Sequence, residues 1–220
     1  MTTPSSHEVP AVEPDAETLR DHWWWRPGWQ VGTRFLAFHI TVADLPALAD
    51  HVAAYQRVLS PFAFLDPIPR QWLHITVQGL DHADAVTATQ RDDVTAAVAA
   101  QLAALPAPRL RFAGPVAHGE AIVIPPTDPA PLCGVRQAIR DGIAASYGPP
   151  EGAPMSAYRP HTSVAYVNAP ADPHPVREAL DAATIPPVDV TATHVSLIEM
   201  HRDHRMYEWQ LITRLPLGPG

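Results

Sequence analysis

Two apolar stretches of the sequence, WLHITVQGL and HTSVAYVN, carry the same polar pattern and constrain the fold most strongly. Each has the alternation and the β-branched content of a strand, and each is followed by a helical pattern. The first contains His74 and Thr76, the second contains His161 and Ser163, and the two histidines lie 87 residues apart. Because residues two apart on a strand share a face, each strand should present an imidazole beside a hydroxyl. The repetition indicates an internal duplication.

The same alternation predicts the composition of both strand faces. Gln78 is expected beside Thr76, and Ala165 beside Ser163. The opposite face should pack under the helices. It is predicted to consist of Ile75, Val77, Thr162, Val164 and Tyr166.

The remaining segments mix strands and helices irregularly. The pattern predicts a long helix over residues 83–105 and a hairpin of residues 109–118 with 119–126, turning near Gly119. Hairpins beside crossover connections favour an α+β protein with mainly antiparallel sheet and outer helices over a doubly wound parallel sheet.

The domain organisation follows from where this pattern begins. Residues 1–21 are polar and without period, so they are predicted to form a flexible tail that ends at a tryptophan-rich segment. Residues 22–220 should form a single domain, with approximate halves at 33–107 and 108–217.

Charge and composition limit the partners. The net charge is -8 and every basic residue is arginine, so a long nucleic acid would be repelled, while a small phosphate ester remains compatible. The start of the sequence lacks the features of a secretory signal, and no stretch has the length of a membrane span, so we expect a cytoplasmic protein without a membrane partner. The single cysteine, Cys133, excludes an intrachain disulfide, and nothing near it in sequence suggests an activated nucleophile.

Two imidazoles facing each other across a cleft suit phosphodiester cleavage. One takes a proton from the attacking water or hydroxyl, and the other gives a proton to the leaving oxygen. The two hydroxyls can hydrogen-bond the non-bridging oxygens as charge builds. A pKa near 6.5 leaves both protonation states of histidine accessible around neutrality. The sequence does not fix which histidine is the base.

The paired H-x-[ST]-x motifs, one in each half, resemble the 2H phosphoesterase superfamily. WLHITVQGL and YRPHTSVAYVN look most like its bacterial 2'-5' RNA ligase and RNA 2',3'-cyclic phosphodiesterase branch. The resemblance implies a bilobal fold around a central cleft and metal-independent cleavage of small 2',3'-cyclic or 2'-5' linked phosphodiesters, without a cofactor. His74 and His161 would be the acid/base pair, with Thr76 and Ser163 as phosphate binders. Ser163 stands where threonine is usual.

The expected partner is therefore a small nucleotide or an RNA-end phosphodiester, and the chain is expected to be a monomer. Two other functions stay open. One is a non-catalytic module that binds RNA or nucleotides, and the other is a phosphodiesterase for a non-RNA metabolite that contains a cyclic phosphate.

Several further residues are candidates for the cleft. His39 opens a second copy of the string HITV, but it lies too close in sequence to His74 to belong to another lobe, so it is either a structural residue or lines the cleft. The candidates for substrate contact are His39, Tyr158, Arg159, Arg202, Arg205 and Tyr207. The tryptophans at 23–25 and 29 are expected to cover the core rather than stack a base. Arg26 lies among them and could reach a phosphate, but a surface role is the favoured prediction.

No metal site is expected. His201, Asp203 and His204 lie near a predicted hairpin tip, where alternate residues point to opposite faces and no further ligand is apparent.

Overall fold

The computed structural model describes residues 17–150 and 152–218. The strands are β1 Phe35–Thr41, β2 Leu65–Pro67, β3 His74–His82, β4 Arg109–Phe112, β5 Val116–His118, β6 Ala121–Ile124, β7 Thr162–Val167, β8 Val188–Thr191, β9 His194–His201 and β10 Glu208–Pro216. The helices are α1 Pro46–Leu59, α2 Ala88–Leu102, α3 Ala130–Ser146 and α4 His174–Asp181. The predicted α+β class with mainly antiparallel sheet is confirmed, since the strands of the described residues pair antiparallel.

The main sheet has the strand order β10-β9-β1-β3-β7-β6-β5, and β2 also pairs with β7. Its two halves meet at β3 and β7, whose register contains the single residue pair Ile75 and Thr162. Farther along β7, β2 takes the place of β3 as its neighbour. The strands β3 and β7 therefore touch at one point and then separate, which opens a cleft between two lobes.

The lobes are intertwined along the chain. β9 and β10 come from the second half of the sequence, yet β9 pairs with β1 in the first lobe. β2 comes from the first half and pairs with β7. A division of the chain near residue 108 is thus only approximate in space.

Helices α2 and α3 pack closely against each other. A Cβ on Gly142 would lie 2.7 Å from the Val98 Cα, so glycine is required at this crossing. Val94, Val98, Val135 and Ile139 are buried on these helices. Burial of each such side chain contributes roughly 1.5–3 kcal/mol.

The predicted start of the second helix at residue 83 is wrong. The helix begins at Ala88, because Thr87 forms a capping box with Gln90. The Thr87 Oγ1 accepts the Gln90 backbone N–H at 3.2 Å, and the Gln90 Oε1 accepts the Thr87 backbone N–H at 3.0 Å.

The predicted hairpin of residues 109–126 is correct only in its second part. β5 and β6 form a hairpin at Gly119 and Glu120. β4 instead pairs with β8 in a separate two-stranded sheet. Gly114 and Pro115 interrupt the run between β4 and β5, and proline cannot donate to a strand ladder.

The packed chain begins before residue 22. Leu19 is fully buried and forms a bridge with Ala171. Residues 1–16 of the predicted tail lie outside the described residues. Within the described part of the chain, no helix has the length and apolar content needed to cross a membrane.

Candidate active site

A cavity of about 210 Å³ lies where β3 and β7 separate. His74, Thr76, His161 and Ser163 all line it. The structure thus brings together the two imidazoles and the two hydroxyls that the sequence pattern singled out.

Both histidines are fixed in the same way by the backbone. The Nδ1–H of His74 donates to the Trp72 carbonyl at 2.9 Å, and the Nδ1–H of His161 donates to the Arg159 carbonyl at 2.8 Å. In each case the acceptor lies two residues before the histidine. A neutral ring with its proton on Nδ1 leaves Nε2 unprotonated. Each ring therefore keeps one nitrogen free to accept a proton.

The turns that supply these carbonyls are also alike. A 3-10 turn at Arg70–Trp72 precedes His74, and another at Met155–Ala157 precedes His161. A proline stands before each turn, at residues 69 and 154. The duplication inferred from the letters therefore extends to the backbone around both motifs.

Each motif also contains a β-bulge at its fourth residue. In the β1–β3 pair, Gln78 and Thr76 have partners in the register but Val77 between them has none. In the β6–β7 pair, Ala165 and Ser163 have partners but Val164 has none. An unpaired residue changes which face the following residues occupy.

These bulges overturn part of the predicted alternation. Val77 and Tyr166 were predicted to face the helices, yet both line the cavity. Ala165 was predicted to lie beside Ser163, but it is buried and lies outside the set of described residues that line the cavity. Gln78 lines the cavity as predicted.

The surroundings of the two rings favour their neutral forms. The pKa of His74 is lowered to about 4, mainly by burial and to a smaller extent by the nearby His161, while the hydrogen bond to Trp72 acts in the opposite direction. Burial also lowers the pKa of His161, with a smaller effect from His118. A phosphodiester anion between the rings would raise both pKa values, because an opposite charge favours the protonated form.

His39 lies directly behind His74. The two rings are stacked, with 4.5 Å between centroids, and the His39 Nε2 lies 3.4 Å from the Thr76 Oγ1. Burial and the neighbouring His74 hold the pKa of His39 well below its ordinary value. The ring lines the cavity in its neutral form and supports both polar residues of the first motif.

Residues 44–204 match the 2'-5' RNA ligase superfamily. The chain belongs to this superfamily. Both histidine motifs lie within the matched range, so the resemblance to 2H phosphoesterases is confirmed. No curated protein matches the chain.

Solved structures support the same fold. TT0787 of Thermus thermophilus is 15% identical, with a TM-score of 0.62 over 84% of this chain and 98% of that one. E. coli LigT, crystallised with ATP, is 16% identical, with a TM-score of 0.56 over 84% and 99%. The PDE domain of MHV ns2 is 14% identical, with a TM-score of 0.51 over 82% and 99%. These similarities concern the fold alone.

Part of the cavity in this superfamily member comes from a segment before the matched range. Residues 19–30, which we call the N-terminal strap, contribute His22, Arg26 and Trp29 to the lining. The ring of His22 stacks on Tyr166 with 4.3 Å between centroids. Its Nδ1 lies 3.5 Å from the Glu120 Oε2. Burial, and to a lesser extent Arg26, holds the pKa of His22 well below its ordinary value.

Glu120 anchors the strap. Its Oε1 accepts the Trp24 Nε1–H at 3.0 Å, and its Oε2 accepts an Arg26 N–H at 2.9 Å. The side chains of Arg26 and Glu120 are only 12% and 11% exposed. The expected surface role of Arg26 is wrong, because its pairing with Glu120 draws the guanidinium into the molecule.

The four tryptophans of the strap differ in their burial. Trp23 is buried against Tyr166 and Tyr207, which agrees with the expected covering of the core. Trp24 and Trp25 are about half exposed. Trp29 lines the cavity.

Tyr158, Arg159 and Tyr207 line the cavity, as their candidacy for substrate contact requires. The Tyr158 hydroxyl donates to the Thr76 carbonyl at 2.9 Å, and the Arg136 guanidinium lies 4.4 Å from the Tyr158 ring centroid. Burial raises the pKa of Tyr158, so its hydroxyl remains a donor. This contact ties the segment before the second motif to the first motif.

Arg202 and Arg205 lie outside the set of described residues that line the cavity. Arg202 is buried and donates to the His22 carbonyl at 2.9 Å. Arg205 donates to Asp21 and to the Asn168 carbonyl, at 3.3 Å each. Their placement does not support the expected substrate contact, because both side chains are engaged in holding the strap.

His22 and His118 also line the cavity, although no sequence pattern pointed to either residue. His22 stands directly before the tryptophan run, but no strand or helix pattern indicated its direction. His118 ends β5, a strand too short for its alternation to be recognised. Among the described residues, the histidines that line the cavity are His22, His39, His74, His118 and His161.

Proposed function

We propose that this protein is a metal-independent phosphodiesterase that opens 2',3'-cyclic phosphates of small nucleotides or RNA ends. The observation that carries the proposal is the matched pair His74 and His161, each held through Nδ1 with Nε2 free in one cavity. Superfamily membership supports phosphodiester chemistry in general.

The proposed mechanism uses the two rings on opposite sides of the phosphate. One Nε2 takes a proton from water as its oxygen attacks phosphorus. The other ring, protonated at Nε2, gives its proton to the 2'- or 3'-oxygen that leaves. Each transfer contributes about 10²- to 10⁴-fold to the rate. In the reverse direction, the released 2'- or 3'-hydroxyl attacks phosphorus, water leaves, and the two rings exchange roles.

Thr76 and Ser163 would hold the non-bridging oxygens. Their hydroxyls share the cavity with the rings, one from each motif. Hydrogen bonds at these positions strengthen as charge develops on the phosphate in the transition state. His39, stacked on His74 and close to Thr76, would keep both groups of the first motif in place.

The lining also suits a nucleoside. Trp29, Phe35 and Met200 form an apolar part of the wall, and an aromatic face holds any nucleobase at about 1–3 kcal/mol. E. coli LigT, which has the same fold, was crystallised with 3'-AMP and with phosphate. The small volume of the cavity and the net charge of -8 favour a short substrate over a long RNA.

A substrate panel in excess EDTA tests the proposal. The purified protein is incubated with 2',3'-cyclic nucleotides, 2'-5' linked dinucleotides and a sugar cyclic phosphate, and the products are separated by anion exchange. We expect ring opening of the cyclic nucleotides to continue without metal. Binding without product would indicate a nucleotide-binding module, and turnover of the sugar alone would indicate a metabolite phosphodiesterase.

A further inference from the structure

The end of the β9–β10 hairpin gathers three metal-ligating side chains. His201 and Glu208 are direct partners across the strand pair, so their side chains share a face. His204 lies in the turn between the two strands. The ligand atoms of the three residues all lie within 4.8 Å of one another. All three lie outside the set of described residues that line the cavity.

This geometry reverses the sequence-based argument against a metal. Alternation does not apply to His204, because the turn folds it back toward the strands. Glu208, which the sequence pattern did not associate with the histidines, supplies a carboxylate beside them. Its Oε2 lies 2.6 Å from the His204 Nδ1 and 3.8 Å from the His201 Nδ1.

The two rings suit a shared ion. They are nearly perpendicular, at 87°, with 5.8 Å between centroids. The Nδ1 of His201 accepts the Asp203 backbone N–H at 3.4 Å, so this nitrogen carries no proton, and an ion bound there would replace that long hydrogen bond. Zinc–ligand distances of about 2.0–2.2 Å in a tetrahedron place the ligand atoms roughly 3.3 Å apart. The His204 Nδ1 and the Glu208 Oε2 are closer than that, at 2.6 Å, so an ion between them requires the exposed His204 ring to move away from the carboxylate.

Both sides of the turn are held in place. Asp203 accepts the Gly32 backbone N–H and an N–H of Arg34, each at 2.9 Å. Arg205 adopts the left-handed conformation, with φ 54°, and donates to Asp21. His204 therefore stands between two anchored neighbours, and little conformational freedom remains to be lost when a ligand binds.

We propose that His201, His204 and Glu208 bind a divalent transition-metal ion such as Zn²⁺, with water in the fourth position. Two imidazoles and one carboxylate are a ligand set that zinc accepts. The ion takes no part in phosphodiester cleavage. It joins the two strands at their end, next to Tyr207 and Trp209, whose rings lie 6.2 and 5.1 Å from that of His74.

Calorimetric titration of the metal-stripped, tag-free protein with Zn²⁺ tests this site. We expect one ion per chain. His204→Ala and Glu208→Gln should each weaken binding by more than the roughly 10- to 100-fold that loss of an outer partner costs. His174→Ala is the matched control. His174 and Glu178 are four residues apart in the sequence, like His204 and Glu208, and they form an exposed pair with 3.3 Å between the His174 Nε2 and the Glu178 Oε1.

Thermal unfolding provides the second measurement. Zn²⁺ should raise the Tm of the wild type and of His174→Ala, but not that of Glu208→Gln, whose Tm without metal shows whether it folds. The proposal is overturned if the wild type does not bind Zn²⁺. It is equally overturned if binding survives in His204→Ala and is lost in His74→Ala, since the cavity histidines would then hold the ion.

Discussion

The imidazoles of His39 and His74 lie face to face, only 7° from parallel and 4.5 Å apart. The two residues come from neighbouring strands of the first lobe, and the repeated string HITV occurs at both. The second copy supplies the ring whose Nε2 is free, and the first copy supplies the ring that supports it. We therefore expect His39 to act as a positioning residue.

Removing the His39 ring should lower kcat while leaving the acid and base groups in place. In His39→Ala we expect kcat to fall by about 10- to 100-fold, the cost of a misplaced reacting group. His39→Phe keeps the stacked ring and should lose less. In steady-state assays both variants should keep the shape of the wild-type pH profile. Unchanged kinetics in His39→Ala would show that the ring does not contribute to catalysis.

The buried neutral His39 should also make the free energy of unfolding decrease as the pH is lowered. The pKa of His39 is depressed in the folded protein, so below about pH 6.5 the unfolded chain binds the proton first and stability is lost. One such group contributes a slope of about 1.4 kcal/mol per pH unit. Urea unfolding at pH 7 and pH 5 should show a smaller loss in His39→Phe than in the wild type. Equal losses of unfolding free energy in the two proteins would contradict the neutral state of the His39 ring.

The strap should depend on the carboxylate of Glu120. Glu120→Ala leaves Arg26 buried without its partner, which costs about 3–5 kcal/mol for a buried pair. We expect a lower free energy of unfolding, measured in urea, and a higher KM, because the strap forms part of the cavity wall.

Asp189→Asn is the control for Glu120→Ala. It breaks the Arg111–Asp189 pair, whose side chains are 52% and 70% exposed, and should cost no more than about 1 kcal/mol. Similar losses in the two variants would show that the strap is not anchored at Glu120.

The activity should be greatest below the ordinary pKa of histidine. Catalysis needs one neutral and one protonated ring, and the pKa values of both His74 and His161 are lowered by burial in the free protein. The optimum of kcat/KM should therefore lie below about pH 6.5. The optimum of kcat should lie higher, since the bound anion raises both pKa values. An optimum of kcat/KM above the ordinary histidine pKa of about 6.5 would contradict this description of the site.

The sequence predicted the two motif strands, the α+β class and the meeting of four site residues, because each rests on local alternation and on a repeated motif. It did not predict the bulges at Val77 and Val164, which depend on pairing with neighbouring strands. Tyr166 was assigned to the wrong face for that reason. His22 was missed because the strap has no regular structure and is placed by distant contacts with Glu120 and Arg202.

The pairing of His74 with His161 is tested most directly by the rate of 2',3'-cyclic nucleotide hydrolysis in EDTA, measured for His74→Ala, His161→Ala and the double variant. If the rings act as one acid/base pair, each single variant should lose roughly 10²- to 10⁴-fold in kcat. The double variant should lose less than the product of the two single losses. His174→Ala, with its exposed ring, should match the wild type. Full activity in either His74→Ala or His161→Ala would show that the two rings are not the acid/base pair.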